Sequence, residues 1–303
     1  MRKYIILFIL AVSASLLASS CRTETLNPES IIKAEVKQKN DFDKWLDANY
    51  LNPYNISVKY RYEMDESDYS YYTIPADMEC SIIMAHLIKY LCIDTYDEVA
   101  GIEFTREYFP KMFFYLGEWE YKNNGTYILG TAEGGKKIYL TGVNYIKDVL
   151  NGNYLGYTVP AEGINHFYVK TIHHEFTHIL NQLKEYPADF KQITASDYVQ
   201  DSWNEYSGNL PLGFISSYAR ANDREDFAEM ISLYVTHDQT WWDEQLATAG
   251  KTGAGFITSK LDIVRSYMNN SFGIDIDELR STVLRRQEEL INGEVDLTSL
   301  DII

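Results

Sequence analysis

The chain has 303 residues, with 44 acidic side chains against 27 basic ones and a formal charge of −17. A surface this acidic repels phosphate backbones, which argues against nucleic acid as a partner and accords with solubility outside a cell. Hydrophobic residues at 46% and aromatics at 14%, including 25 tyrosines, indicate a globular protein with enough chain for one large domain or two intimate lobes.

Residues 1–20 read as a signal peptide. Arg2 and Lys3 form its positive end, and Tyr4 to Leu17 is an apolar run too short to span a bilayer comfortably. Ala18-Ser19-Ser20 supplies small residues at a cleavage site directly before Cys21. That placement resembles the lipobox of bacterial lipoproteins, whose cysteine is lipidated and becomes the mature N-terminus. Ala18 stands where a leucine-like residue is expected, and secretion with plain cleavage after Ser20 is the competing reading. Arg22 follows the cysteine, not the Asp that often retains lipoproteins at an inner membrane. Residues 21–40 then form a lipidated cysteine with a polar tether, and 41–303 a single domain.

Asp41 to Tyr50 predicts a short helix ended at Asn52-Pro53, and the alternating Asn55 to Glu63 predicts a strand. Pro75 opens a long helix through Leu91, and Thr105 to Phe114 predicts another, kinked near Pro110. Cys80 and Cys92 lie in or beside the first of these, about 18 Å apart on a continuous helix, so they read as buried thiols and not as a disulfide. Thr126 to Leu129 and Lys137 to Leu140 predict two strands joined by a turn at Glu133-Gly134-Gly135. From Phe167 onward the pattern is mostly helical, with a loop-rich insert from Pro187 to Pro211. The fold class is α+β: a small mixed sheet with an edge hairpin in the first half, and a helical second half.

The chemistry lies in His174-Glu175-Phe176-Thr177-His178. Two imidazoles four residues apart share one face of a helix, which suits two nitrogen ligands of a tetrahedral Zn²⁺, and Glu175 lands beside that ion as a candidate base. Projecting a helix over about 167–185 puts Ile172, Phe176, Ile179 and Leu183 on one stripe and both histidines on roughly the opposite side. Such a helix floors a cleft. His173 points about a quarter-turn away and reads as structural. A surface histidine pair, or histidines satisfied by hydrogen bonds in the core, is the plainer alternative.

A third ligand must come from elsewhere. Metzincins carry Gly and His three and six residues after the second histidine; Asn181 and Lys184 stand there instead, which excludes that class. Asp223 to Val235 predicts a helix with Glu225 and Glu229 on one face and Phe227, Met230, Ile231 and Tyr234 on the other. Glu225 reads either as the third ligand or as a first-turn acid behind an Asn222 cap, and Glu229 either as a support for a ligand histidine or as a solvated side chain.

The segment from Tyr218 through Glu225-Asp-Phe-Ala-Glu229, following HEFTH at this distance, resembles the lethal-factor-like gluzincin metallopeptidases. With the leader and Cys21 added, the chain resembles the substrate-import-associated zinc metallohydrolase lipoproteins of Bacteroidota. The specific residues cover about a tenth of the chain. The resemblance implies a zincin-like fold and one catalytic Zn²⁺ held by His174, His178 and Glu225. It further implies Glu229 supporting a ligand histidine and Tyr218 assisting at the oxyanion. It also implies a peptide or protein substrate, a SusC/SusD-like import complex as partner, and an outer-membrane lipoprotein on the periplasmic or cell-surface side, touching the membrane only through its lipid.

In that chemistry three protein ligands leave one position for water, and Glu175 takes its proton as it attacks a carbonyl. The strand at Lys137 to Leu140 is the expected edge for pairing with an extended peptide. A non-catalytic lipoprotein that hands peptides or glycans to a transporter is the alternative function, and hydrolysis of another amide, such as a glycopeptide, is a third.

Overall fold

The computed structural model describes residues 38–302 apart from Asn124, so the expected leader, Cys21 and most of the tether lie outside the described residues. Asn40 caps helix α1 (Asp41–Leu46): its side chain accepts from the Asp43 N–H, and its own N–H donates to Asp43 Oδ2. The helix continues as a π-turn, Asp47–Leu51, and a last turn, Asn52–Tyr54, beyond the expected stop at Asn52-Pro53. Asn55, with φ 56°, ends it. Asn40–Ile303 cluster as one compact unit, and no helix among the described residues is long and apolar enough to cross a membrane.

The sheet has four strands in the order β1 (Ser57–Lys59), β2 (Met112–Tyr115), β6 (Lys137–Leu140), β5 (Gly130–Glu133). The first three run parallel, and β5 is antiparallel to β6 at one edge. Alternation sends Phe113, Tyr115, Ile138 and Leu140 into the main core, while Phe114 and Tyr139 join Leu116 in a small cluster of their own. A separate two-stranded ribbon, β3 (Glu120–Tyr121) with β4 (Tyr127–Ile128), precedes β5.

Four sequence expectations change here. Thr105 to Phe114 is not one kinked helix: α4 (Ile102–Tyr108) ends as Phe109 turns extended before Pro110, and Met112–Tyr115 becomes the strand that joins β1 to β6. A residue before proline is disfavoured in the α region, and an apolar run flanked by two strands is satisfied best inside the sheet. The first arm of the hairpin is Gly130–Glu133, not Thr126 to Leu129, whose Tyr127 and Ile128 pair with β3 instead. Finally, Lys137–Leu140 is bonded on both sides, so the edges of this sheet are β1 and β5. The strand predicted from Asn55 to Glu63 is also shorter, at three residues.

Helices fill the rest. α2 (Met78–Ile88) runs through a π-turn, Lys89–Ile93, into α3 (Asp94–Ala100), and both Cys80 and Cys92 are buried and unbridged. α5 (Ile146–Leu150) leads to α6 (Pro160–Ile164), which passes through a π-turn at Asn165–Val169 into α7 (Lys170–Leu183). α8 (Asp189–Gln192) lies in the loop-rich insert. α9 (Asp223–Thr236), α10 (Gln239–Phe272, broken at Gly250) and α11 (Ile276–Ile291) complete the chain.

Helix α7 is bolted to the core through its apolar stripe. Ile172, Phe176 and Ile179 are buried, and the Phe176 ring meets those of Tyr96, Phe109 and Phe104 at 5.0, 4.9 and 6.1 Å. Burying a phenylalanine contributes roughly 1.5–3 kcal/mol, so this stripe fixes which way the opposite face looks. Leu183, expected in the same stripe, is 57% exposed because it falls in the last turn, beyond the core. The edge strand lies tight on this helix: a Cβ at Gly130 would sit 2.8 Å from both Thr171 Cγ2 and the Tyr139 carbonyl. Only glycine allows that approach.

Candidate metal centre

The face of α7 that is not in the core carries Lys170, His174, Glu175 and His178 into a cleft of about 450 Å³. Its walls are the edge strand at Gly130, Thr131 and Ala132, the β4 ribbon at Tyr127 and Ile128, and Trp203 with Tyr218 from the long loop before α9. α9 approaches from that side with Glu225 in its first turn.

Three donor atoms converge. His174 Nε2 and His178 Nε2 lie 3.1 Å apart, and Glu225 Oε2 lies 3.0 Å from the first and 3.2 Å from the second. Two imidazole nitrogens and a carboxylate oxygen facing one point cannot all be satisfied by a single shared proton. A cation between them satisfies all three at once. Tetrahedral zinc with bonds of about 2.0–2.1 Å needs donors roughly 3.3 Å apart, close to the spacing present. Among the described residues, His174, His178 and Glu225 form the one group of histidine, cysteine and carboxylate side chains arranged to hold a metal ion.

Asn222 caps α9, accepting from the N–H groups of Arg224 and Glu225 at 3.0 and 3.1 Å. The first turn is therefore satisfied without the Glu225 carboxylate, which is free to reach the histidines. Glu229, one turn later, is 1% exposed and not solvated. Its Oε1 lies 2.9 Å from His174 Nδ1 and 2.5 Å from Lys170 Nζ, and its Oε2 accepts from Ser216 Oγ at 2.7 Å. A carboxylate on the far nitrogen of a histidine fixes the tautomer that leaves Nε2 free to ligate.

Electrostatics follow from the same contacts. Burial opposes protonation of His174, but the carboxylates of Glu225 and Glu229 outweigh it and lift its pKa to about 9. Burial likewise pushes Glu225 up, and the two histidines more than reverse this, holding it well below the usual carboxylate range. Glu175 is raised, chiefly by burial and against the pull of His174 and His178. Tyr218 is pushed far above its ordinary value by burial and the neighbouring Glu225, Glu175 and Glu229, so its hydroxyl remains a neutral donor. Its ring lies 5.8 Å from that of His174 and is braced edge-on by Trp203 at 5.0 Å.

A family-level sequence profile described as "Putative zinc-binding metallo-peptidase" matches residues 35–277. The chain belongs to this family. A crystal structure from Bacteroides caccae with the same description is 38% identical to this chain, covers 90% of it and 100% of its own length, and superposes with a TM-score of 0.73. A comparison with curated proteins gave no match. The family is zinc-binding by description, and the convergent donors fit that ion.

Structure and sequence thus agree in bringing His174, Glu175, His178, Glu225, Glu229 and Tyr218 to one cleft, while Cys21 lies outside the described residues. Sequence reasoning passed over Lys170, Ser216 and Trp203. Lys170 stands four residues before His174, so the same helical projection places it on the metal face. Ser216 and Trp203 sit in irregular chain, where no periodicity marks them. His173, as expected, is structural, fully buried with its Nδ1 3.0 Å from the Tyr96 hydroxyl.

Proposed function

We propose that the chain is an extracytoplasmic zinc-dependent peptidase of zincin-like fold and gluzincin type, lipid-anchored through Cys21 and associated with nutrient import. The observation that carries this reading is the convergence of His174, His178 and Glu225 beside Glu175, beneath a free sheet edge. The leader, the acidic surface and a 38% identical relative in Bacteroides caccae support the placement in an outer-membrane lipoprotein of Bacteroidota.

When bound, zinc supplies a Lewis acid and lowers the pKa of a water molecule towards ~7. Glu175 accepts the proton of the attacking water on its carboxylate and returns it to the leaving amine. Tyr218 donates its hydroxyl to the oxygen of the scissile carbonyl as negative charge develops there, without adding a charge of its own. Glu229 holds the His174 ring by its Nδ1, and Lys170 and Ser216 hold Glu229. The edge of β5, which lines the cleft, offers the N–H and C=O groups that an extended peptide pairs with, a role expected from sequence for β6, which is bonded on both sides.

Incubating the zinc-loaded protein with a peptide library, beside Glu175→Gln, tests the function. Cleavage by the wild type alone supports the peptidase; tight peptide binding with no cleavage by either protein overturns it in favour of a binding accessory. Within the peptidase reading, Tyr218→Phe removes one hydroxyl. It is expected to lower kcat by about 10²-fold while KM and zinc content stay near wild type. An unchanged kcat would remove Tyr218 from the oxyanion role.

A further inference from the structure

Directly behind the metal face of α9 lies an ion pair that the proposed chemistry does not use. Asp226 follows Glu225 in sequence and so points about 100° round the helix, away from the cleft. Its carboxylate accepts from Lys260 Nζ of α10 at 2.6 Å and from the Tyr198 hydroxyl at 2.8 Å, and both members of the pair are 0% exposed. The same ammonium donates to the Gly213 carbonyl at 2.8 Å and lies 4.1 Å from the centre of the Phe214 ring.

A pair this deeply buried is a poor device for stability alone. Removing two charges from water is costly, and well-packed apolar residues commonly do as well or better in such a place. What the pair supplies is direction. The first turn of a helix is held least by its own hydrogen bonds, and in α9 that turn carries Glu225. Asn222 holds its amides, Asp223 accepts from the Tyr186 hydroxyl at 2.8 Å, and Asp226 ties the turn sideways to α10. The pair also fixes the loop that precedes α9. Tyr198 and Gly213 belong to that loop, and Val199 and Gln200 donate their N–H groups to the carbonyls of Arg220 and Ala221 at 2.8 and 3.1 Å. The loop lies so close on α10 that a Cβ at Gly253 would sit 2.2 Å from the Leu210 carbonyl. The next residues along it are Ser216, which holds Glu229, and Tyr218, which lines the cleft.

We infer that Lys260, acting through Asp226 and the Gly213 carbonyl, is a positioning residue that sets the orientation of Glu225 and of the Ser216–Tyr218 wall towards His174 and His178. The inference rests on the reading of Glu225 as a metal ligand. One ammonium thereby aligns a ligand from one helix and the support of another ligand from a loop.

The test is zinc affinity of the full chain, measured by competition with a chromogenic chelator, together with the visible spectrum of the Co²⁺-substituted protein. Lys260→Met alone leaves Asp226 buried without a partner and is expected to be unstable. Lys260→Met with Asp226→Leu removes both charges and keeps the volume apolar. This double variant is expected to fold, to bind zinc about 10–100-fold more weakly and to shift the Co²⁺ bands, as loss of an outer support of a metal site does. Tyr198→Phe, which removes a single hydroxyl, is expected to weaken zinc binding severalfold, and it decides the matter should the double variant not fold. Wild-type zinc affinity and an unchanged Co²⁺ spectrum in the folded variants would overturn the inference and leave the pair as packing. Glu225→Ala in the same titration separates the two claims: if it binds zinc as the wild type does, the metal-site reading itself fails and Lys260 has no ligand to position.

Discussion

Glu225→Ala is expected to fold normally and to lose stoichiometric zinc. Glu225 Oε2 is the one carboxylate oxygen among the three convergent donors, 3.0 and 3.2 Å from the two imidazole nitrogens. Four-ligand zinc sites bind with about 10–16 kcal/mol at neutral pH, so one protein ligand contributes roughly 3 kcal/mol or more, a factor of at least ~10² in affinity. The helix that carries it does not depend on that side chain. Asn222 caps its first turn, and Phe227, Met230, Ile231 and Tyr234 bury its other face. Circular dichroism should therefore be unchanged while metal content, read by mass spectrometry after dialysis, falls away. Retained zinc in this variant would show that the third donor lies elsewhere.

Glu175→Gln should give the opposite separation: full zinc and almost no turnover. The amide has nearly the shape of the carboxylate, and Glu175 is not among the three convergent donors, so the metal site stays intact. What is lost is the proton acceptor. General-base catalysis contributes typically 10²–10⁴-fold, and kcat/KM is expected to drop by about that much with KM little altered. Burial raises the Glu175 carboxyl towards the range in which a base can both take and return a proton. Turnover at the wild-type rate in this variant would remove Glu175 from the reaction, whatever the fate of the zinc.

The two helices that build the centre were readable because each carries a double pattern. In α7 the repeat of Ile172, Phe176 and Ile179 gives the core face, and His174 and His178 then have only one side to occupy. In α9 the same logic sets Phe227, Met230 and Ile231 against Glu225 and Glu229. Resemblance supplied what periodicity could not, singling out Tyr218 among 25 tyrosines. The failures have a common physical cause. Met112–Tyr115 is a strand because β1 and β6 bond it on both sides, and those partners lie dozens of residues away in sequence. No local pattern in Met-Phe-Phe-Tyr contains that information. The shift of the hairpin arm to Gly130–Glu133 arose likewise from contacts with α7 and β6, which require glycine at 130. Lys260 shows the limit most clearly: a lysine in the middle of a long helix reads as solvated, and only the fold brings it to Asp226 with neither group exposed.

The most direct measurement of the central claim is anomalous X-ray scattering at the zinc edge from crystals of the metal-loaded protein. One peak is expected among His174 Nε2, His178 Nε2 and Glu225, about 2.0–2.2 Å from each. A peak at another group of side chains, or none between these three in crystals that contain stoichiometric zinc, would contradict the site.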